Sequence, residues 1–129
     1  MPRETLFLFG SAEKGSFCQP IIIQSLLQLL EQLGQPPEAS EGLFYAIRTL
    51  LFHQELIYFR VAEEGYSLDD YMAGLQWLRK ASLRSRLSAI CLPGVGNEEV
   101  IQMAATICHL HQCLLIVSAK DLYDYLTVK

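Results

Sequence analysis

The chain has 129 residues, 51% of them apolar and 19% charged, with a formal net charge of −4. A mean hydropathy of +0.23 excludes intrinsic disorder, which needs low hydrophobicity and high net charge, and the acidic balance advertises neither a nucleic-acid surface nor an anionic-membrane surface. No apolar stretch approaches the ~18–20 residues of a membrane span, and the run from Leu6 ends at Gly10, short of a secretory signal core. The expectation is one domain over residues 1–129, beginning near Met1 and cytoplasmic.

Residues 5–9 (Thr-Leu-Phe-Leu-Phe) form the short continuous apolar run of a buried strand. Residues 10–16 (Gly-Ser-Ala-Glu-Lys-Gly-Ser) are a small-residue loop. The spacing of Ile22, Ile23, Leu26, Leu27, Leu29, Leu30 and Leu33 then predicts a helix over 20–33. Ser16 is its expected cap, Pro20 falls in its first turn and Gly34 ends it. After the rigid Gln35-Pro36-Pro37-Glu38 connector, Ser40 precedes a second helix over 41–52, with Leu43, Phe44, Ile47, Leu50 and Leu51 on one face.

Residues 56–61 read as a strand, and Tyr58 and Arg60 within it suggest an edge position. Gly65 marks a turn. Ser67-Leu68-Asp69-Asp70 resembles a capping box, followed by Tyr71, Met72, Leu75 and Leu78 at helical spacing. Arg79, Lys80, Arg84 and Arg86 collect at and after that helix's end, where cations are favoured. Residues 87–92 are a third strand and 93–96 its loop. Asn97, Glu98 and Glu99 open a helix with Val100, Ile101, Ala104, Ile107 and Cys108 on its apolar face. Residues 113–117 are a fourth strand, and Ser118 caps a last short helix that points Leu122, Tyr125 and Leu126 inward.

Strands alternating with helices imply right-handed βαβ units. The expected fold is a single three-layer α/β domain: a four-stranded, mostly parallel sheet in the order 2-1-3-4, with helices on both faces, a flavodoxin-like or Rossmann-like layout. Leu6, Leu8, Ile57, Phe59, Ile90, Leu115 and Val117 are its expected core. In that order the winding reverses between strands one and three, and open α/β sheets bind ligands beyond the carboxyl ends of strands at such a point.

The loops that meet there carry the candidate chemistry. Residues 10–16 have the G-x-x-x-x-G spacing of a phosphate loop, but Lys14 precedes the second glycine instead of following it, and no strand ends in an Asp for a magnesium ion. A simpler anion loop would use Gly10, Ser11, Lys14, Gly15 and Ser16, with Gly94, Gly96 and Asn97 from the facing loop, through backbone N–H groups and a helix N-terminus. The plainer reading is a β–α connection whose glycines only make the turn. Gly94-x-Gly96 lacks the third glycine of a dinucleotide fingerprint, so no cofactor is expected.

Cys18, in the first turn of the helix and near Lys14, would have a lowered thiol pKa, although a small buried residue is the plainer reading. Cys91, Cys108 and Cys113 lie in apolar patterns, as free buried thiols do in a reducing compartment. Residues 108–113 (Cys-His-Leu-His-Gln-Cys) cross from a helix end to a strand start, which should point their side chains apart, so no metal site is expected. His109 or His111 should instead meet the helix's last carbonyls. Glu63, Glu64, Asp69 and Asp70 offer an acid–base pair or, more plainly, turn and cap charges. The basic cluster has no aromatic stacking ladder beside it and reads as solvated surface.

Without a complete catalytic motif, the expectation is a non-catalytic binding or interaction module or subunit. It would form a homodimer or bind a protein partner through an outer face of helix 20–33 or 41–52. The alternative is a sensor or enzyme for a small anionic ligand, phosphate among them, using the loops after strands one and three.

Overall fold

A computed structural model describes residues 4–38, 40–81, 83 and 86–127. In chain order the elements are β1 (Glu4–Gly10), β2 (Pro20–Ile23), α1 (Leu26–Leu33), α2 (Gly42–Leu51), β3 (Glu55–Arg60), α3 (Leu68–Lys80), β4 (Arg86–Cys91), α4 (Glu98–His111), β5 (Leu114–Ile116) and α5 (Ala119–Thr127). The sheet runs β2-β3-β1-β4-β5, parallel throughout except where β2 joins β3. Without β2 this is the order 2-1-3-4 expected from the sequence.

β1 lies between two parallel partners, and every residue of it after Glu4 is buried. Successive side chains point to opposite faces of a strand. Leu6 and Leu8 therefore enter one apolar layer, with α1, α2 and α5, and Phe7 and Phe9 enter the other, with α3 and α4. Burial on both faces explains the unbroken apolar run. The pairing of β1 with β4 shifts register between Thr5 and Leu6, which leaves Ser88 as the extra residue of a bulge. The Ser88 hydroxyl donates to the Thr5 carbonyl at 3.2 Å and meets the Tyr125 hydroxyl of α5.

The segment 20–33 is not one helix. Pro20–Ile23 is an antiparallel edge strand on β3, and α1 starts at Leu26 with Ser25, not Ser16, as its cap: the Gln28 N–H donates to Ser25 Oγ at 3.1 Å. Three successive β-branched isoleucines favour extended backbone, and the Cys18 N–H, donating to the Arg60 carbonyl at 3.0 Å, lays the chain along β3 just before them.

β3 is consequently an interior strand. Tyr58 is fully buried, and the Arg60 guanidinium turns back to the carbonyls of Ala12, at 2.9 Å, and Gly15. Of the expected core, Val117 is 40% exposed and lies beyond β5, while Leu115 is half-buried because β5 is an edge strand. Ser67 precedes α3 but does not cap it; its Oγ accepts the Glu63 N–H at 2.7 Å instead. The last carbonyls of α4 meet backbone N–H groups of Gln112 and Cys113, and His109 and His111 are exposed. Arg84 lies outside the described residues.

Candidate functional site

The winding reverses between β3 and β4 on either side of β1, and the carboxyl end of these three strands is where an open α/β sheet binds ligands. Glu64, in the turn after β3, sits over the end of β1. Its Oε1 accepts the Ser11 N–H at 3.0 Å, the Gly42 N–H at 3.1 Å and the Ser40 hydroxyl at 3.1 Å, and its Oε2 accepts the Glu41 N–H at 2.6 Å. A carboxylate from another element thus fills the anion-favouring N-terminus of α2. Glu41, the residue before α2, makes no side-chain cap of its own.

Two glycines allow this closure. A Cβ on Gly10 would lie 2.8 Å from the Gly42 Cα, so the end of β1 and the start of α2 touch through bare backbone. Gly65 has φ +89°, and a Cβ there would lie 2.6 Å from the Gly94 carbonyl oxygen. The turn after β3 therefore crosses the end of β1 and rests on the loop after β4. Tyr58 donates to the Ser11 carbonyl at 2.7 Å, and the Gly65 N–H donates to the Tyr71 hydroxyl at 2.7 Å.

The loop after β1 leads into β2, so residues 10–16 do not open a helix of their own. The Ser11 amide is held by Glu64, and the amides of Glu13 and Lys14 donate to the Leu33 carbonyl at 3.1 and 3.2 Å. The Gly15 carbonyl accepts from Arg60, whose guanidinium lies 3.9 Å from the centre of the Phe17 ring. Lys14 and Ser16 are exposed. Across the sheet, Asn97 caps α4 by accepting the Val100 N–H at 3.1 Å, and Gly94 and Gly96 are exposed with open space beside them. The two halves of the expected anion loop thus share one end of the sheet, with the 61–67 turn between them.

Cys18 is not in a helical turn. It has φ +55°, its thiol donates to Asp70 Oδ1 at 3.1 Å, and burial followed by Asp70 pushes its pKa up to about 11. That is the opposite of an activated thiol. Asp70 in turn accepts the Ala62 N–H at 2.8 Å. Among the described residues, no group of three or more His, Cys, Asp or Glu is placed to hold a metal ion, and no helix is long and apolar enough to cross a membrane.

Two clefts lie away from this end. One of about 570 Å³ lies between α5 and β5 and includes Gln54, Leu115 and Tyr125; one of about 460 Å³ lies between α3 and α4 and includes Met72, Met103 and Leu110.

The carboxyl end of the sheet has a pH signature. Burial, the largest cause, raises the Tyr58 phenol well above the ordinary tyrosine value and Tyr71 to about 12. In the unfolded chain both ionise near pH ~10. Above that pH the unfolded state has lost protons that the folded state retains, so stability falls as pH rises, by about 1.4 kcal/mol per pH unit for each phenol. Tyr71 contributes this between about pH 10 and about pH 12. Urea unfolding of the wild type and Tyr71→Phe across this range should show a shallower decline in the variant; equal slopes would contradict the burial of this phenol.

The described chain is thus an α/β domain with a mostly parallel sheet whose winding-reversal point is closed by its own side chains. No family model, curated protein or solved structure matches it.

The sequence placed the reversal point, but not the part played by Glu64, which reads as one acid among four. Its signal was available only in hindsight: a helix start at Gly42 without a capping side chain needs an acceptor from elsewhere.

Proposed function

We propose that this chain is a non-catalytic interaction subunit that pairs with a second copy of itself through the outer faces of α1 and α2. The reading rests on the width of the apolar arc on these helices. In α1, Leu29 and Leu33 are buried in the domain, whereas Leu26, Leu27 (68% exposed) and Leu30 occupy the adjoining arc and face out. On α2, Phe44 (53% exposed) and Leu51 lie seven residues apart with half-buried Ile47 between them. Both helices pack on the same face of the sheet, side by side. Scattered exposed apolar residues are ordinary, but a contiguous set marks an interface.

Charge supports a second copy as the occupant. Within the two helices the only charged side chains are Glu31 of α1 and Arg48 of α2. A two-fold interface that sets α1 of one protomer against α2 of its partner brings these opposite charges together twice. Each large apolar side chain buried contributes ~1.5–3 kcal/mol, so several together are needed to offset the ~4–15 kcal/mol cost of association. The anion-loop reading has less support, because two of the amides it needs, those of Ser11 and Lys14, are already held by Glu64 and Leu33.

Sedimentation equilibrium tests the proposal. The wild type should show a mass near twice 14.6 kDa. Leu27→Glu and Phe44→Glu, both on the folded surface, should each weaken the dimer by about tenfold or more, because each places an unpaired charge in the contact. A wild type that stays monomeric up to about 1 mM, where association would be worth only ~4 kcal/mol, overturns the reading.

A further inference from the structure

The end of α4 carries an unused pair of thiols, and we infer that Cys108 and Cys113 form an oxidation-sensitive dithiol that closes into an intramolecular disulfide, with Cys113 attacking and Cys108 resolving. The helix ends in a left-handed turn at Gln112 (φ 54°, ψ 47°). The Cys113 N–H donates to the Cys108 carbonyl at 2.9 Å, and the Gln112 N–H donates to the His109 carbonyl at 3.4 Å. This pair of backbone bonds is the Schellman arrangement, which brings the side chains of its first and last residues into contact. In most helices that contact is between apolar groups. Here both side chains are thiols, free in this structure.

The two thiols differ in the way an attacking and a resolving cysteine must. Cys108 is buried beneath α4, whereas Cys113 is half-buried at its edge. Arg86 donates to the Gln112 carbonyl at 2.8 Å, which holds its guanidinium beside Cys113. The neighbouring Cys108 thiol and then Arg86 hold the Cys113 thiol below its ordinary pKa against the opposing effect of burial, while the Cys113 thiol and burial push Cys108 up. A thiolate is the attacking species in disulfide exchange. The other cysteines lack these features: Cys91 is fully buried and Cys18 donates its proton to Asp70.

The co-reactant is a low-molecular-weight disulfide such as oxidised glutathione. The Cys113 thiolate attacks one of its sulfurs, the external S–S bond breaks, and one glutathione leaves as a thiol carrying the proton that Cys113 gave up. Cys108 then loses its proton and attacks the Cys113 sulfur, and the second glutathione leaves as a thiol. Two protein thiols are oxidised and one external disulfide is reduced to two thiols. The new bond ties the end of α4 to the residue before β5.

The test treats the full chain with oxidised glutathione, alkylates remaining thiols under denaturing conditions and digests with trypsin. No Lys or Arg lies between residues 87 and 119, so Cys91, Cys108 and Cys113 leave on the single peptide 87–120. The expected wild-type peptide has lost two hydrogens and gained one alkyl group, on Cys91. Cys108→Ser should stop at a mixed disulfide on Cys113, and Cys113→Ser should form neither product. Brief alkylation of the native, reduced protein should label Cys113 about tenfold faster than Cys18. Three alkyl groups on the oxidised wild-type peptide, or glutathione settling on Cys18, overturn the inference. The wild-type readout does not depend on either variant folding.

Discussion

Phe9→Ala is expected to lower stability by about 3–5 kcal/mol. The ring is fully buried, and its centroid lies 5.1 Å from Phe7, 5.3 Å from Phe59 and 5.3 Å from Tyr71. Truncation removes the hub of this aromatic cluster and leaves a cavity that rigid rings cannot refill. Against a typical total of ~5–15 kcal/mol, the loss should be visible as a large shift of the urea midpoint. Gly74 of α3 gives an internal check. Gly→Ala inside a helix ordinarily stabilises by up to ~1 kcal/mol, but a Cβ on Gly74 would overlap the Phe9 ring. Gly74→Ala should therefore cost about 2 kcal/mol in the wild type and much less in the Phe9→Ala background, where only the Phe59 ring, 3.0 Å from the added Cβ, still has to give. A stabilising Gly74→Ala in the wild type would refute this packing.

Glu64→Ala is expected to cost about 3 kcal/mol. Each hydrogen bond to a charged group contributes ~1.5–3 kcal/mol, and the carboxylate accepts four, from Ser11, Ser40, Glu41 and Gly42. The sum is not reached, because Glu64 is half-buried and water can replace part of what is lost. Glu64→Gln should fall between the two: it keeps one acceptor oxygen but turns amide hydrogens toward donors. Hydrogen exchange at Ser11, Glu41 and Gly42 should quicken in both variants. A loss below about 0.5 kcal/mol in Glu64→Ala would mean that the carboxylate is a solvated turn charge.

The contrast between these two sites shows what the sequence could disclose. The burial of β1 is legible because an unbroken apolar run suits a strand covered on both faces, although the expected core named Leu6 and Leu8 and left out Phe7 and Phe9 on the other face. The alternation of strands and helices disclosed the mostly parallel sheet, whereas the order 2-1-3-4 was an assumed crossover direction that the structure matches. Residues 20–23 were not legible: a Pro followed by three isoleucines fits the first turn of a helix as well as an edge strand, and periodicity cannot separate the two over so short a run. Only pairing with β3 decides it, and with β2 in place β3 ceases to be an edge. Glu64 was hidden because its partners lie 22 to 53 residues away. Cys108 and Cys113, five apart, share no helix face; the left-handed residue that joins them is Gln112, where a glycine or asparagine would have announced the turn. The apolar excess read at the start of helix 20–33 lay in Ile21, Ile22 and Ile23, which form β2 instead, and the sequence did not show which leucines of α1 the domain leaves uncovered.

The most direct test of the proposed self-association is hydrogen–deuterium exchange of the wild type at two concentrations, one below and one above the dimer midpoint. The account predicts slower exchange at the higher concentration in residues 26–33 and 42–52, with the 10–16 loop and the β5 edge unchanged. Exchange that is independent of concentration, or protection confined to residues 114–117, would contradict it.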